Sequence, residues 1–489
     1  MKDRDLARLI HPAFRFGETP KPEALELARL GVGGFCFYEG SRDEVRGMAM
    51  ELRSASPGPL LISADYENGA GHWLKEATEL PSNMAIGASG SETLARRKGE
   101  ITAREARALG VDWVLAPVLD LADNPDNPIV NLRAYGDSPA LVSRLASAYV
   151  SGLRSGGVLC CLKHFPGHGG TSVDSHLVLP VLERSAAELD ALELEPFRAL
   201  LPQADSVMAG HLMAPCIDPE RPASLSAGAI SGLLRGRMKY EGCVVTDALN
   251  MKAVSGGSPG VEALKAGADV LLYPEDPISL FEALKRAAAS GEVSGDTTAR
   301  ALARQDAMVR RLSGAGPRPG PEAVGCPEHR AFVREAAPSC LAWAFRNRPY
   351  VLNPGETVSY LEPLTAPALW KGRAFVEELV RLGVRVEPFG GQKAGKTVIG
   401  SFSRPRAFSG DINLGPEASA EIERALAGGG ESLMAAFGSP FVFDRFRGRL
   451  GAGLCAFCGL DDFQRAAAAA LSAAGRVGGT MPVSPAPGR

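Results

Sequence analysis

The sequence has no long apolar segment and no excess of charge of one sign. No uninterrupted apolar run among the 489 residues approaches the ~20 residues that a helix needs to span a bilayer. Lysine and arginine number 53 against 56 aspartate and glutamate residues, which gives a formal net charge of −3. Such a chain has no electrostatic basis for binding nucleic acid or an anionic membrane, and we expect neither partner.

The sequence also lacks the cysteine pattern of a disulfide-bonded protein. Its nine cysteines are odd in number and scattered, and most lie inside apolar runs, as Cys160 and Cys161 do. Cys455 and Cys458 form a C-x-x-C pair, but no second pair or histidine cluster completes a zinc site. The N-terminus, MKDRDLARLI, has charges between its apolar residues and no signal-peptide core. Reduced core cysteines and this N-terminus predict a cytoplasmic protein.

What the sequence does contain is one dense group of polar residues, in the stretch 159–180. The stretch begins with the end of an apolar run, GVLCCL, which has the length of a strand buried on both faces. Lys163 and His164 follow, and Pro166 with its neighbouring glycines excludes a continuing strand or helix. The loop beyond carries three titratable residues: His168, Asp174 and His176. Titratable residues grouped where a buried strand ends are typical of a catalytic site on a barrel or open sheet.

Short apolar runs recur through the first part of the chain, and most are followed by a polar or glycine-rich segment and then a helical pattern. Eight such runs are predicted to be strands: 13–16, 34–38, 60–64, 113–119, 158–162, 206–209, 243–246 and 270–273. Eight strand–helix units in about 300 residues fit a (β/α)₈ barrel by count and length. A doubly wound sheet would fit the same alternation.

Serine residues predict where several helices begin. The segment SGSE at 89–92 resembles a capping box, Ser138 precedes Pro139 as an N-cap, and SAAE at 185–188 is a second capping box. A helical pattern rich in alanine and arginine extends over 278–312. We expect helices to start at these serines.

The motif KHFPGHG at 163–169, followed by DSH at 174–176, resembles glycoside hydrolase family 3, specifically its β-N-acetylglucosaminidase branch. The similarity extends over most of residues 1–315 and more faintly to the C-terminus, including GTMPV at 479–483. The resemblance implies an α/β fold, with a (β/α)₈ TIM-type barrel followed by a smaller α/β sandwich domain. It also implies a retaining β-glycosidase that uses neither a metal nor an organic cofactor.

The resemblance places the catalytic nucleophile at Asp247. Retaining glycosidases need a nucleophile on one face of the sugar and a proton donor near the leaving oxygen. Asp247 directly follows the apolar run CVVT at 243–246, so its carboxylate is expected at the carboxyl end of a strand. The alternative is an aspartate that only caps the next helix.

The resemblance further implies that His176, held by Asp174, is the proton donor. Histidine titrates near neutrality, and a carboxylate partner orients the imidazole and stabilises its protonated form. The alternative is a surface histidine that is merely hydrogen-bonded to a loop aspartate. If this pair is not the donor, the next candidates are His168, His211 and Glu67.

Four further residues match the sugar-binding positions of the family: Asp65, Arg133, Lys163 and His164. His211, after the sixth apolar run, is expected to border the site. The chain departs from the family at two places, and one of them is Gly170, which stands where an aspartate is common. The usual Asp-x-Glu-Gly-Gly with a following arginine is here DYENGAGHW at 65–73, so His72 and Trp73 stand at the position of that arginine.

A chain of this length is expected to fold as more than one domain. The segment SGAGPRPGP at 313–321 interrupts every regular structure and is the clearest linker. We predict a catalytic barrel domain over 1–312, a linker over 313–325 and a C-terminal α/β sandwich domain over 326–489. Apolar runs alternate with helical patterns in the last of these, which favours a small parallel sheet covered by helices.

The sequence therefore predicts a cytoplasmic enzyme that hydrolyses terminal β-N-acetylhexosaminides, such as GlcNAc on muropeptide-type or chitin-type saccharides. The same site could use phosphate as the acceptor, because a histidine donor leaves no second carboxylate to repel an anion. A family 3 β-glycosidase of other sugar specificity is a further alternative. A non-catalytic sugar-binding protein is also conceivable, but the presence of Asp247, Asp174 and His176 argues against it.

Overall fold

The chain folds into a parallel barrel followed by a second α/β domain. The computed structural model describes residues 2–173, 178–254, 257–390, 395–404, 414–427 and 431–484. The predicted (β/α)₈ TIM-type barrel with a following α/β domain is confirmed.

Nine strand segments build the barrel. They are β1 Ile10–His11, β2 Ala13–Arg15, β3 Gly34–Tyr38, β4 Leu61–Ala64, β5 Trp113–Val114, β6 Leu159–Phe165, β7 Ser206–Ala209, β8 Cys243–Thr246 and β9 Leu271–Leu272. Strands β2 to β8 pair in chain order, all in parallel. Pro12, which has no N–H to donate, separates β1 from β2, so these two segments form one barrel strand. All eight predicted strands are confirmed.

The ends of the sheet meet, so the barrel is closed. Strand β9 pairs in parallel with β1, with Ile10 opposite Leu271. A parallel bridge between Val245 and Val270 joins β8 to the residue before β9. Closure leaves two core regions, one inside the barrel and one between the strands and the outer helices.

Eleven helices alternate with these strands among the described residues. They are α1 Asp3–Ala7, α2 Lys21–Leu30, α3 Arg42–Ala55, α4 Asn83–Ser89, α5 Glu92–Leu109, α6 Pro139–Ser155, α7 Ala186–Ala191, α8 Leu194–Leu200, α9 Pro259–Ala266, α10 Pro277–Ala289 and α11 Gly295–Leu312, with a π-helix at Gly228–Arg237. None of the helices in the described part of the chain is long and apolar enough to cross a membrane.

The predicted helix starts are largely confirmed, with two corrections. The helix α5 is capped by Ser91, whose Oγ accepts the N–H of Leu94, whereas Ser89 donates back to a carbonyl of α4. The pattern over 278–312 is two helices, α10 and α11. They are separated at Gly291, whose φ of 81° lies in the left-handed region that glycine adopts without strain.

The C-terminal domain is built on a six-stranded sheet. Its strands are β10 Ala342–Arg346, β11 Thr357–Leu361, β12 Arg385–Pro388, β13 Lys396–Ser401, β14 Glu431–Ala436 and β15 Ala452–Cys455. Its helices are α12 Pro327–Cys340, α13 Arg373–Arg381, α14 Pro416–Ala427 and α15 Asp461–Ala470. The predicted parallel sheet needs one correction: the edge strand β10 pairs antiparallel with β15, while the other strand pairs are parallel.

Buried polar contacts join the two domains. The carboxylate of Glu105 on α5 is 1% exposed and accepts the Gly325 N–H at 3.0 Å, and its Oε1 lies 2.7 Å from Nδ1 of His329 on α12. The Ser82 hydroxyl donates to the carbonyl of Phe457 at 2.8 Å. The predicted boundaries of the linker stay a prediction.

Candidate active site

Two predicted site residues lie two positions beyond residues of the barrel interior, and a third contacts one of them. Side chains alternate between the two faces of a strand, so every second residue points the same way. Cys161 of β6 and Val245 of β8 pack inside the barrel, and Lys163 and Asp247 come two residues later. Asp65 directly follows β4 and contacts Lys163. The alternation therefore brings these polar side chains to the carboxyl end of the barrel, where barrel enzymes have their active sites.

Lys163 is the buried centre of this group. Its Nζ lies 2.7 Å from Oδ1 of Asp65 and 2.7 Å from Oε1 of Glu67, and its side chain is 2% exposed. Burial alone would lower the pKa of Lys163, but the charges of Asp65 and Glu67 outweigh this and raise the pKa above its ordinary value. Lys163 is therefore a fixed cation between two carboxylates.

Arg133 and Glu67 form the second ion pair of the site. Arg133, in the 3₁₀ turn Asn131–Arg133, donates through Nε at 3.0 Å and through Nη2 at 2.7 Å to the two oxygens of Glu67. Burial would raise the pKa of Glu67, but Arg133 and Lys163 hold it well below its ordinary value. Glu67 is therefore a carboxylate at neutral pH, so the geometry argues against its role as an alternative proton donor.

His164 connects Arg133 to Asp120. Nδ1 of His164 lies 2.7 Å from Oδ2 of Asp120, and Nε2 lies 3.2 Å from Nη2 of Arg133. A guanidinium can only donate, so Nε2 accepts and the ring proton resides on Nδ1. These two contacts give the His164 ring a fixed orientation. The bond between Lys163 and His164 is a cis peptide.

Asp120 is a site residue that sequence reasoning missed. It is fully buried and accepts the backbone N–H groups of His164 at 3.2 Å and His168 at 2.8 Å, besides its contact with the His164 ring. Asp120 thus holds both histidines of the KHFPGHG motif. Its position directly after the predicted strand 113–119 was the signal that could have found it.

Asp247 is held by its neighbours at the end of β8. Its backbone N–H donates to the carbonyl of Ala209 at 3.0 Å, and its Oδ1 accepts the N–H of Ala248 at 2.8 Å. His211 donates through Nε2 to the carbonyl of Ala248 at 3.1 Å and so supports the same turn. Residues 248–254 form turns and one short 3₁₀ turn, Lys252–Val254, so the interpretation of Asp247 as an α-helix cap is wrong.

The two predicted members of the acid/base pair, Asp174 and His176, lie outside the described residues. His168, which precedes them, is buried, and its Nδ1 lies 2.8 Å from the hydroxyl of Thr171. Burial lowers the pKa of His168 to about 4, so this ring is neutral at neutral pH. Both observations argue against His168 as the proton donor.

Aromatic side chains form the other side of the Asp65 region. The Tyr38 hydroxyl donates to Oδ2 of Asp65 at 3.3 Å, and the Trp73 indole N–H donates to the Asp65 carbonyl at 2.9 Å. The two rings meet edge to face at 5.3 Å, and Tyr273 lies 5.7 Å from Tyr38. At the position of the family's usual arginine, this chain thus has an indole that packs against Tyr38 and binds backbone. Aromatic faces beside paired charges suit the mixed apolar and hydroxyl surface of a sugar.

A buried carboxyl group lies beneath the loop that carries His168. The Glu193 side chain is fully buried, and its Oε1 lies 3.6 Å from Nη2 of Arg184, which also pairs with Asp123. Burial raises the pKa of Glu193 to about 8, and the nearby charge of Asp123 adds to this while Arg184 opposes it. Glu193 is therefore mostly protonated at neutral pH.

This burial predicts a pH-dependent loss of stability. The folded protein binds the Glu193 proton more tightly than the unfolded chain, so the stabilisation is complete below the ordinary pKa of 4.5 and is lost as the pH rises through about 8. Each pKa unit corresponds to about 1.4 kcal/mol. We expect Tm to fall less between pH 5 and 9 in Glu193→Gln, which has no proton to lose, than in the wild type. Parallel curves of Tm against pH for the two proteins would contradict this. The control is Glu195→Gln, at a neighbouring carboxylate whose side chain is 47% exposed.

The fold and the site define a class of protein, and comparison with known families agrees with it. Residues 4–307 match the model of the "Glycosyl hydrolase family 3 N terminal domain". The chain belongs to glycosyl hydrolase family 3 and is a glycoside hydrolase that acts on O-glycosyl bonds.

Several known proteins are similar to this chain. A beta-N-acetylglucosaminidase/beta-glucosidase of Cellulomonas fimi is 31% identical over 410 residues, which are 76% of this chain and 72% of that protein. A beta-hexosaminidase of Xylella fastidiosa (strain M23) is 40% identical over 261 residues, 50% of this chain and 77% of that protein.

Solved structures show the same two-domain fold. A glycoside hydrolase family 3 beta-N-acetylglucosaminidase from Paenibacillus sp. str. FPU-7 superposes with a TM-score of 0.86 at 28% identity and covers 99% of both chains. A beta-glucoside phosphorylase, BglX, superposes with a TM-score of 0.91 at 24% identity and covers 99% of this chain and 94% of that chain. The likeness to the phosphorylase concerns the fold alone.

Proposed function

We propose that this protein is a retaining β-N-acetylhexosaminidase with Asp247 as its nucleophile. The proposal rests on the position of Asp247, which follows the interior face of β8 and is held by Ala209 and Ala248 at the carboxyl end of the barrel. In this mechanism the Asp247 carboxylate attacks C1 of the sugar and the bond to the leaving oxygen breaks. Water then attacks C1 of the glycosyl-aspartate and releases the sugar with retained configuration.

The proton for the leaving oxygen is proposed to come from His176, with Asp174 as its partner. The geometry of the described residues supports this by exclusion. Glu67 is an ion-paired carboxylate, and His168 is neutral and buried. His211 is fully buried and is bonded through both ring nitrogens, to Ser224 and to Ala248. In the second step His176, which has given up its proton, would accept a proton from the attacking water.

The sugar is proposed to bind at Asp65, Arg133, Lys163 and His164. These residues form one connected group in which Lys163 pairs with Asp65, and Arg133 contacts His164. Glu67 forms ion pairs with both Lys163 and Arg133. All four side chains therefore have defined positions before the sugar binds. Such preorganised donors and acceptors can bind several hydroxyls at once.

The substrate class that we propose is the terminal β-N-acetylhexosaminides, such as GlcNAc on muropeptide-type or chitin-type saccharides. The relatives that are named hexosaminidases or acetylglucosaminidases support this class, and peptidoglycan recycling is a matching role. A cytoplasmic location is supported by the nine cysteines, all of them free.

A panel of β-linked nitrophenyl sugars tests the substrate class. We expect the wild type to cleave the GlcNAc substrate with a kcat/KM at least about tenfold above that of the glucose, xylose and GalNAc substrates, because each lost or misplaced polar contact costs that much or more. The Asp247→Ala variant, measured with the same panel, shows that any cleavage comes from this site. A higher kcat/KM on the glucoside would contradict the proposed class and favour a β-glucosidase.

The same panel in phosphate buffer separates hydrolysis from phosphorolysis. Hydrolysis yields the free sugar, whereas phosphate as the acceptor yields a sugar 1-phosphate, and the two products are distinguished by phosphorus NMR. We expect the free sugar. A dominant sugar 1-phosphate would identify a phosphorylase that uses the same nucleophile.

A further inference from the structure

Lys98 is a buried lysine on α5 that has no part in the mechanism described above. Its residue is 0% exposed, and its Nζ donates to Oδ1 of Asn83 at 2.6 Å and to Oδ1 of Asn68 at 3.1 Å. On another side, Nζ lies 5.9 Å from the centre of the Tyr149 ring. Burying an amine costs free energy that burying an apolar side chain does not. A lysine at this position therefore indicates a role for its N–H donors.

Asn83 and Asn68, the two residues bonded to Lys98, connect it to the two members of the Glu67–Arg133 ion pair. Asn83, the first residue of α4, donates through Nδ2 to the carbonyl of Arg133 at 2.7 Å. Asn68 directly follows Glu67 in the chain. The contacts therefore form a closed ring: Glu67 binds Arg133, the Arg133 backbone is held by Asn83, and Lys98 links Asn83 to Asn68 and so back to Glu67.

We propose that Lys98 is a positioning residue for the sugar-binding site, which fixes the separation of Glu67 and Arg133 by holding Asn68 and Asn83 together. This proposal rests on the proposed role of Arg133 in binding the sugar. Lys98 touches no reacting atom and acts only through the two asparagines. Because Glu67 also pairs with Lys163 at 2.7 Å, a shift of the ring would displace both cations of the site.

The ring does not depend on the charge of Lys98. Burial lowers the pKa of Lys98 to about 7, so both protonation states are populated near neutrality. The neutral amine still has two N–H groups, and the two asparagine oxygens are two acceptors. The positioning effect is therefore expected on either side of pH 7.

The test is Lys98→Met, which keeps an unbranched side chain and removes the donors. With the nitrophenyl β-GlcNAc substrate we expect KM to rise about tenfold while kcat changes by less than about threefold, since sugar contacts are displaced but Asp247 is not. The inhibition constant of free GlcNAc is expected to rise by the same factor. The matched control is Gln305→Met, which removes another buried bond, at 2.8 Å to the Asp269 carbonyl, at the opposite end of the barrel.

Two reference variants separate the possible outcomes. If Lys98→Met lowers Tm as Gln305→Met does and leaves KM unchanged, while Arg133→Ala raises KM, the positioning role is refuted and the proposed sugar site stands. If Arg133→Ala leaves KM unchanged, the proposed sugar site itself fails. In the double variant Lys98→Met/Arg133→Ala, KM is expected to rise by less than the product of the two single effects, because Lys98 acts in part through Arg133. Should Lys98→Met not fold, Asn83→Ala removes the link to Arg133 and is judged by the same criteria.

Discussion

Replacing Asp247 by asparagine is expected to reduce kcat by ~10³-fold or more, which corresponds to about 4 kcal/mol of activation free energy. The amide keeps the shape of the side chain and can still accept the N–H of Ala248, which the wild-type Oδ1 accepts at 2.8 Å. It is not a nucleophile at C1, so the covalent intermediate cannot form. Steady-state rates on the nitrophenyl β-GlcNAc substrate measure the effect.

Chemical rescue distinguishes a lost nucleophile from a damaged fold. In Asp247→Ala, added azide is expected to attack C1 in place of the carboxylate and to restore turnover, with an α-glycosyl azide as the product. Asp276→Asn, a change of the same kind at the N-cap of α10, is the control and should keep the wild-type rate. Retention of more than about a tenth of the wild-type rate in Asp247→Asn would refute the assignment of the nucleophile.

Replacing His176 by alanine is expected to slow substrates with poor leaving groups far more than nitrophenyl substrates. A nitrophenolate departs with little help from a proton, whereas a sugar alkoxide does not, so the loss is expected to reach ~10²-fold or more on a disaccharide. Rates on nitrophenyl β-GlcNAc and on a β-linked GlcNAc disaccharide measure the contrast. Equal losses on the two substrates would refute His176 as the general acid.

The variant Asp174→Asn tests whether Asp174 acts through His176. An ionised neighbour raises the pKa of a histidine, so its removal should move the alkaline limb of the pH profile, where the general acid loses its proton, to lower pH and reduce kcat with little change in KM. Because the two residues are proposed to act as a unit, the effects of Asp174→Asn and His176→Ala should be non-additive. Full additivity with an unmoved pH profile would show that they are only neighbours in the sequence.

The barrel could be predicted from the sequence because each of its strands carries its own local signal. The runs before Lys163, Asp247 and Asp65 are short and mainly apolar, and each is followed directly by one of these charged residues. Each run forms a parallel strand. The antiparallel pairing of the edge strand β10 could not be predicted, because its apolar residues at 342–345 indicate a strand but not the direction in which that strand pairs.

The connections within the site could not be predicted in the same way. Glu67, Asp120, Arg133 and His164 come from four different segments, and the spacing between them along the chain has no relation to their distances in space. Asp120 was identifiable as a polar residue after a strand, but its contacts with two histidines require the folded barrel. Lys98 gave no signal, because a lysine in a helix is normally exposed.

The helix α4 lies between the sugar site and the C-terminal domain. Its first residue, Asn83, holds Arg133, the preceding Ser82 is bonded to Phe457, and the Ala88 carbonyl at its other end accepts the N–H of Thr480 at 2.9 Å. The second domain thus holds both ends of a helix that also positions Arg133, a residue of the proposed sugar site. We therefore expect a chimera that joins this barrel to a foreign partner domain to keep the proposed nucleophile in place while losing affinity at the proposed sugar site.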